Sequence, residues 1–414
     1  FDFAGLPEVR QLAVQRAAGD MLGIRDPFFR SHDAMAADRT SIDGRTAINF
    51  SSYDYCGLNG HPEAVAAAKA AIDRFGTSVS ASRVVSGERP VHRALERAIA
   101  DFIGTEDAVA FVSGHATNVT TIGHLLRPKD LVITDAFIHN SVVEGARLSG
   151  AARLSFPHND LSALDDLLGA CRGQYERVLI AVEGLYSMDG DAPDLAELVR
   201  IKARHDAWLL VDEAHALGVL GATGRGIAEA QGVDPRAVEI FMGTLSKTLC
   251  GCGGYVAASA ALTTYLKATA PGFVFSVGMP APTAAASLAC LEILKREPER
   301  VALIERNGHR FVERARMRGL DVGTSSGHAV VPVITGDSVV AAVASNLLLD
   351  NGFNVLPIIY PAVPEKAARL RFFITSRHSE ADIDAAVDAT AVAVAEARGA
   401  GGDLNTLARR ILAK

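Results

Sequence analysis

Seven short runs, AVAFVSG, DLVITD, ARLSF, RVLIAVEG, AWLLVDEA, VEIFMGTLS and GGYVAAS, are apolar nearly throughout, with no in-out alternation. That pattern predicts strands buried on both faces. Between them lie Ala-rich stretches such as HPEAVAAAKAAIDRF and DLAELVRIKARHD, which read as helices. Strand and helix in turn predict a mainly parallel sheet covered on both sides, an α/β fold. The first 47 residues carry helical periodicity in EVRQLAVQRAAGDML and read as an N-terminal helical arm. The sheet domain is expected over residues 48–292. Near residue 293 one long helix, APTAAASLACLEILKREPERVALIERNGHRFVERARMRG, leads out of it. A small α+β domain follows over residues 293–400, built from AVVPVITG, FNVLPIIY and ARLRFFIT with intervening helices, and a Gly-rich tail over 401–414.

Composition narrows the function. The chain has 414 residues, 49% of them hydrophobic, which suits one large domain with smaller lobes. A formal net charge of −7 leaves no basic surplus to attract nucleic acid or an anionic membrane. No apolar run of about 18 residues predicts a membrane span. The start, FDFAGLPEVRQLAVQR, has the features of neither a signal nor a transit peptide. Five scattered cysteines, of which only Cys250 and Cys252 are close, lack the spacing of zinc or redox motifs. Reduced thiols in a cytoplasmic protein are expected.

In a parallel sheet, ligands gather beyond the carboxyl ends of the strands. The polar residues of this chain fall there: Ser113-Gly114-His115, His139-Asn140-Ser141, Tyr186-Ser187, Asp212, and Gly243-Thr244-Leu245-Ser246-Lys247. The stretch LLVDEAHALG puts Asp212, Glu213 and His215 at one such end, and three chemistries compete for it. A Walker B acid needs a P-loop, and no GxxxxGK[ST] occurs. A metal needs more ligands than Asp212 and His215, and no HxH or HxxxH pair accompanies them. Pyridoxal 5′-phosphate explains more. It needs a lysine, a carboxylate for its ring nitrogen, a flat group over the ring and donors for its phosphate. Lys247 follows a strand in GTLSKTLCGCGG, where small residues allow close backbone approach. Ser113-Gly114-His115 opens a helix, a natural phosphate site. Singly, each signal also has a bland reading, a surface lysine or a plain cap; order and placement together carry the inference.

Those same segments, SYDYCGL, SRVVSGERPVHRALE, FVSGHATN, VITDAFIHNSVVEGARLSGA, VEGLYSMDGD, VDEAHALGVLGATGRG, GTLSKTLCGCGGYVA and ARLRFFITSRHSEADID, resemble the α-oxoamine synthases. The resemblance runs in order from about residue 48 to 395. It implies the fold-type I, aspartate aminotransferase-like architecture and a homodimer with the active site at the interface. By motif position it implies Lys247 as the Schiff-base lysine, Asp212 as the pyridinium partner, His215 near the phenolic oxygen and His139 stacked on the ring. Ser113, Gly114, His115 and Thr244 would meet the phosphate, Ser187 the region of the lysine linkage, and Ser276 the partner subunit's phosphate. Arg371 would clamp the amino-acid carboxylate. Tyr53 stands where the family's SNDYLGL form has Asn, on the substrate side, while His115 replaces a common Phe or Tyr and Val277 a frequent Thr. These departures bear on amino-acid and acyl specificity, not on the core reaction.

The implied reaction is decarboxylative condensation of glycine, alanine or serine with an acyl thioester, giving a 2-amino ketone. Lys247 would take the Cα proton and His215 polarise the thioester carbonyl. Another fold-type I enzyme, an aminotransferase or lyase, and a non-catalytic scaffold subunit are the alternatives; a scaffold would lack Lys247. The non-Met start and the tail TLARRILAK favour a domain taken from a carrier-protein assembly line, with acyl carrier protein as donor rather than CoA. A basic patch would then be expected from Arg369, Arg377, Arg409 and Arg410.

Overall fold

The computed structural model describes residues 2–21 and 23–412, apart from the side chains of Ala18, Glu365 and residues 400–412, among them Arg409 and Arg410. The chain divides into two compact units: Phe1–Ser52 with Asn307–Ile374 and His378–Lys414, and Tyr53–Arg306 with Thr375–Arg377.

Among the described residues the N-terminal segment is helical over Phe3–Gly5, a 3₁₀ turn, and Pro7–Met21; β1 (Arg39–Ile42) and β2 (Arg45–Asn49) then form an antiparallel hairpin. Its turn is Asp43-Gly44, both at positive φ (51° and 72°), the pair that a two-residue hairpin favours. The helical-arm expectation overlooked this Asp-Gly signal, because Arg and Ser interrupt the apolar pattern on either side of it.

All seven apolar runs become strands of one sheet: β3 (Asp107–Phe111), β4 (Leu131–Asp135), β5 (Ala152–Phe156), β6 (Val178–Glu183), β7 (Trp208–Asp212), β8 (Ile240–Thr244) and β9 (Gly254–Ala258). Their order is β3-β9-β8-β7-β6-β4-β5, with β9 antiparallel to both neighbours and the remaining pairs parallel. Strands β3, β4, β6, β8 and β9 are buried at every position, which is why they carry no alternation. One core packs Val109, Val132, Leu179, Leu210, Met242 and Val256 together. Each such side chain contributes roughly 1.5–3 kcal/mol through burial. Because only β9 is reversed, the carboxyl ends of β3, β4, β6, β7 and β8 share one edge of the sheet.

The long helix expected after the sheet is two helices, Ala281–Arg296 and Glu299–Met317. Glu297 leaves helical geometry at φ −126°, ψ 58°. The cause is Pro298, which lacks an N–H and disfavours helix in the residue before it. The boundary between the units falls within the second helix, at Arg306/Asn307, where the composition shift suggested 293.

The smaller unit holds two three-stranded sheets. In one, β2 lies between β1 and β11 (Phe353–Asn354); in the other, β13 (Arg369–Phe373) lies between β10 (Val330–Ile334) and β12 (Leu356–Ile358). Phe50, Phe311, Phe372 and Leu370 centre its core. The helix Glu380–Leu412 runs through the Gly-rich stretch where a separate tail was expected. Among the described residues, no helix is long and apolar enough to cross a membrane.

Candidate active site

The three polar residues that end β7 go three ways. Asp212 is buried, and its Oδ2 accepts from Asn118 Nδ2 at 2.8 Å while Oδ1 accepts from the Ala214 amide at 3.0 Å. Glu213 accepts from the Ile227 amide at 3.1 Å, beside Gly226, and so holds the loop that closes beneath the site. His215 Nδ1 shares a 2.7 Å hydrogen bond with the Tyr55 hydroxyl.

Asn118 belongs to the helix Gly114–Leu125 that follows β3. Its Nδ2 also donates to Ser141 Oγ at 2.9 Å, and Ser141 Oγ meets His139 Nδ1 at 2.7 Å. One buried amide thus connects the Asp212 carboxylate with His139, the residue that caps the helix Asn140–Ser149 after β4. The His139 ring lies edge-on to that of the exposed His115, centroids 6.4 Å apart.

Beyond β8, Thr244 Oγ1 donates to Gly253 O at 2.9 Å and meets Ser246 Oγ at 2.7 Å, so the turn into Lys247 is fixed from both sides. A Cβ on Gly253 would come within 2.6 Å of Phe111 O, so only glycine lets the return strand lie against β3. A Cβ on Gly114 would reach 2.9 Å from Thr244 Oγ1. That close approach puts the Thr244 hydroxyl at the first turn of the Gly114 helix, whose amides have no partners inside the helix. Ser113 caps the turn by accepting from the Ala116 amide. Lys247 is half-buried, its Nζ 5.5 Å from the centroid of the Tyr53 ring. Tyr53 in turn lies edge-on to His215, centroids 6.2 Å apart.

Two more acids flank Asp212, and both are pushed up to about 8. Burial is the larger cause for Glu183, followed by the adjacent Asp212 charge; Glu183 pairs across the sheet with Asp212. Burial also lifts Glu213, which the Ile227 amide partly opposes. Neighbouring acids in low dielectric resist ionising together, so burial and the adjacent carboxylate favour the protonated forms of Glu183 and Glu213. Glu183 Oε2 accepts from the Ser187 amide at 3.0 Å, which fixes Ser187 over the end of β6.

The structure therefore brings together Asp212, His139, His115, Ser113, Gly114, Thr244, Lys247, His215, Tyr53 and Ser187 at one sheet edge. Ser276 lies on the segment after Phe273, its Oγ donating to Val277 O. Arg371 belongs to the smaller unit, on β13, with its guanidinium 4.7 Å over the Phe373 ring. Arg369 does not fit an exposed basic patch: it is buried, with Nε donating to Ala367 O. Its position in β13 alternates onto the same face as Arg371, a strand-period signal that ARLRFF already contained. The sequence motifs gave no role to Asn118 or Tyr55, and named Ser141 at the end of β4 without assigning it one. Asn118 is four residues after Gly114, one helical turn along the same face, and that spacing could have found it.

A pyridine nitrogen, a phosphate and an aldehyde each find a matching group here. The amide-anchored Asp212 suits a protonated ring nitrogen, the Gly114 turn with Thr244 suits an anion, and Lys247 suits the aldehyde. The missing Cβ at Gly114 lets the Thr244 hydroxyl approach the first turn of the helix, so that hydroxyl and helix amides can serve one anion together. These features define a fold-type I pyridoxal phosphate site. The profile of the family "Aminotransferase class I and II" matches residues 45–389. The chain is 41% identical over 351 residues to an 8-amino-7-oxononanoate synthase of Methylobacterium sp. (strain 4-46), covering 85% of this chain and 88% of that one. Among solved structures, Sphingomonas wittichii serine palmitoyltransferase superposes with a TM-score of 0.91 at 30% identity, over 97% and 99% of the two chains. A serine palmitoyltransferase solved with its pyridoxal phosphate internal aldimine gives 0.91 at 29%, over 97% and 100%. The chain belongs to the aminotransferase class I and II family and, within it, to the α-oxoamine synthases.

Proposed function

We propose that the protein joins a small amino acid to an acyl thioester with loss of CO₂ and release of the thiol, yielding a 2-amino ketone. The observation that carries this reading is the arrangement at adjacent strand ends: Lys247 after β8, and Asp212 at the end of β7, anchored by Asn118. When bound, pyridoxal 5′-phosphate supplies the electron sink that stabilises negative charge at the amino acid's Cα.

The chain's own residues do the rest. Ser113, Gly114, His115 and Thr244 would hold the phosphate, His139 would cover the ring, and Asp212 would keep the ring nitrogen protonated. Lys247 Nζ would anchor the cofactor and, as a free amine, would take the Cα proton. Arg371, by its motif position, pairs with the amino-acid carboxylate. Ser187 and Tyr53 bound the substrate side. His215, oriented by Tyr55, donates to the thioester oxygen as the C–C bond forms and the C–S bond breaks.

Exposed Val84, Val85, Phe275 and Val277 support a homodimer, with Ser276 among the residues facing a second copy. The five cysteines are free thiols, which supports a reducing cytoplasmic setting. For the thioester's handle, carrier protein is the finer proposal; exposed Arg377 supports it and buried Arg369 does not.

The test is an assay of CO₂ and thiol release with glycine, L-alanine and L-serine, each against one acyl group on CoA and on phosphopantetheinyl carrier protein. Lys247→Ala should abolish both products together with the visible absorbance of the lysine-linked cofactor. Turnover by Lys247→Ala would overturn the reading, and equal or better use of CoA would remove the carrier protein.

A further inference from the structure

The segment FPHND between β5 and the next helix carries a histidine that the reaction does not use. His158 Nδ1 donates to Asp135 Oδ1 at 2.9 Å, and its Nε2 donates to Asp191 Oδ2 at 3.0 Å. Asp135 ends β4; Asp191 closes the loop after β6. Both ring nitrogens donate to carboxylates, which only an imidazolium can do. The ring is also clasped: Phe137 stacks on it with centroids 4.4 Å apart and Tyr186 meets it edge-on at 4.5 Å. The neighbouring Asn159, at φ 56°, donates its amide to Asp135 Oδ2 at 2.8 Å and its Nδ2 to Asp191 Oδ2 at 3.4 Å.

Both arms lead into the active site. Asp135 Oδ1 also accepts the Phe137 amide at 2.7 Å, two residues before His139. Asp191 O accepts the Tyr186 amide at 2.8 Å, one residue before Ser187, and Gly190 donates to Tyr186 O at 2.9 Å. The loop bearing Ser187 is thus a closed turn fastened to His158 through Asp191. The turn bearing His139 is fastened to the same ring through Asp135. We propose that His158 is a positioning residue, a cationic clip that holds the His139 and Ser187 loops in register over the cofactor and amino acid. The inference rests on the pyridoxal phosphate reading of the site.

Charge makes the clip specific. His158 is raised to about 10: burial opposes its charge, but the hydrogen bonds and charges of Asp135 and Asp191 outweigh that. Asp135 is correspondingly lowered, against its own burial, by the His158 hydrogen bond and by the Asn159 and Phe137 amides. The ionisable groups facing the ring are Asp135 from β4, Asp191 from the loop after β6, and Tyr186 from that same loop. Removing the cation leaves two carboxylates facing each other across the neutral donors of Asn159, which carry no compensating charge. A neutral replacement therefore fails by repulsion, and protonating or neutralising one aspartate relieves it.

The experiment measures pyridoxal 5′-phosphate affinity by fluorescence titration of the apoprotein, from about pH 6 to about pH 9. Affinity of His158→Gln at about pH 8 should fall about tenfold, short of the roughly hundredfold that a misplacement of ~1 Å can cost. The deficit should shrink toward acid, and His158→Gln with Asp191→Asn should regain most of the affinity. Parent affinity in His158→Gln, or a deficit that neither acid nor Asp191→Asn reduces, would overturn the clip. Should His158→Gln not fold, Asp191→Asn alone cuts the arm to the Ser187 loop. It is then expected to weaken binding severalfold, and unchanged binding would overturn the proposal. Parent protein that fails to take up the cofactor would instead refute the function itself, so the two failures are distinguishable.

Discussion

Asn118 offers the sharpest test of how the site is wired. It is fully buried, and its Nδ2 donates to both Asp212 Oδ2 and Ser141 Oγ. Asn118→Leu keeps the volume and removes both donors. A hydrogen bond to a charged acceptor is worth about 1.5–3 kcal/mol and a neutral one about 1 kcal/mol. Asp212 keeps the Ala214 amide, so the carboxylate stays in place but loses its side-chain anchor. If the whole charged contribution acts on the bound ring, pyridoxal 5′-phosphate affinity falls roughly ten- to a hundredfold. The neutral bond to Ser141 governs His139 instead and adds a smaller loss. Thermal unfolding of the apoprotein separates a stability defect from a binding defect, and titration of the cofactor gives the affinity. Parent-like affinity in a folded Asn118→Leu protein would refute the claim that Asp212 is held for the ring by this amide.

Tyr55→Phe removes the hydroxyl that orients His215 and should lower kcat while leaving cofactor affinity within about twofold, since the site's phosphate and ring contacts are elsewhere. An unchanged kcat would take His215 out of the chemistry. Arg371→Ala should weaken amino-acid binding by about 1.5–3 kcal/mol, read by spectral titration, with little change in the thioester's KM. Stability should also depend on pH through His158. Its folded value of about 10 exceeds its ordinary 6.5, so its contribution is complete below about 6.5 and fades as pH rises through 10. Across that window the parent's unfolding free energy should fall by up to about 1.4 kcal/mol per pH unit more steeply than that of His158→Gln. Urea titrations at several pH values measure it, and identical slopes would mean that His158 is not held as a cation.

What the sequence discloses follows from how local the governing physics is. Five of the seven sheet strands stand out because burial at every position demands apolar residues throughout, a requirement satisfied within five or six residues. The edge strand β5, by contrast, exposes Arg153 and Ser155 and is not buried on both faces as its sequence suggested. The site residues stand out for a related reason: strand ends must switch from apolar to polar where the sheet meets its ligand. Two local rules were present but outweighed. Asp43-Gly44 specifies a hairpin, and Pro298 breaks a helix whose apolar period continues on both sides of it. The residues that wire the site obey no local rule. Asn118 and Asp212 are joined across ninety-four positions and Tyr55 and His215 across one hundred and sixty. His158 reaches Asp135 and Asp191 across twenty-three and thirty-three. In sequence each is one polar residue on an ordinary helix or loop; the order β6-β4-β5 brings His158 to Asp191 and Asp135, and the order β3-β9-β8-β7 sets the helix after β3 on the sheet edge that carries Asp212. The groups proposed for catalysis are therefore those that motifs single out, whereas the groups that contact them are set by topology. It follows that substitutions among Asn118, Tyr55 and His158 should alter affinity and pH dependence before they abolish turnover, while those at Lys247 should abolish it outright.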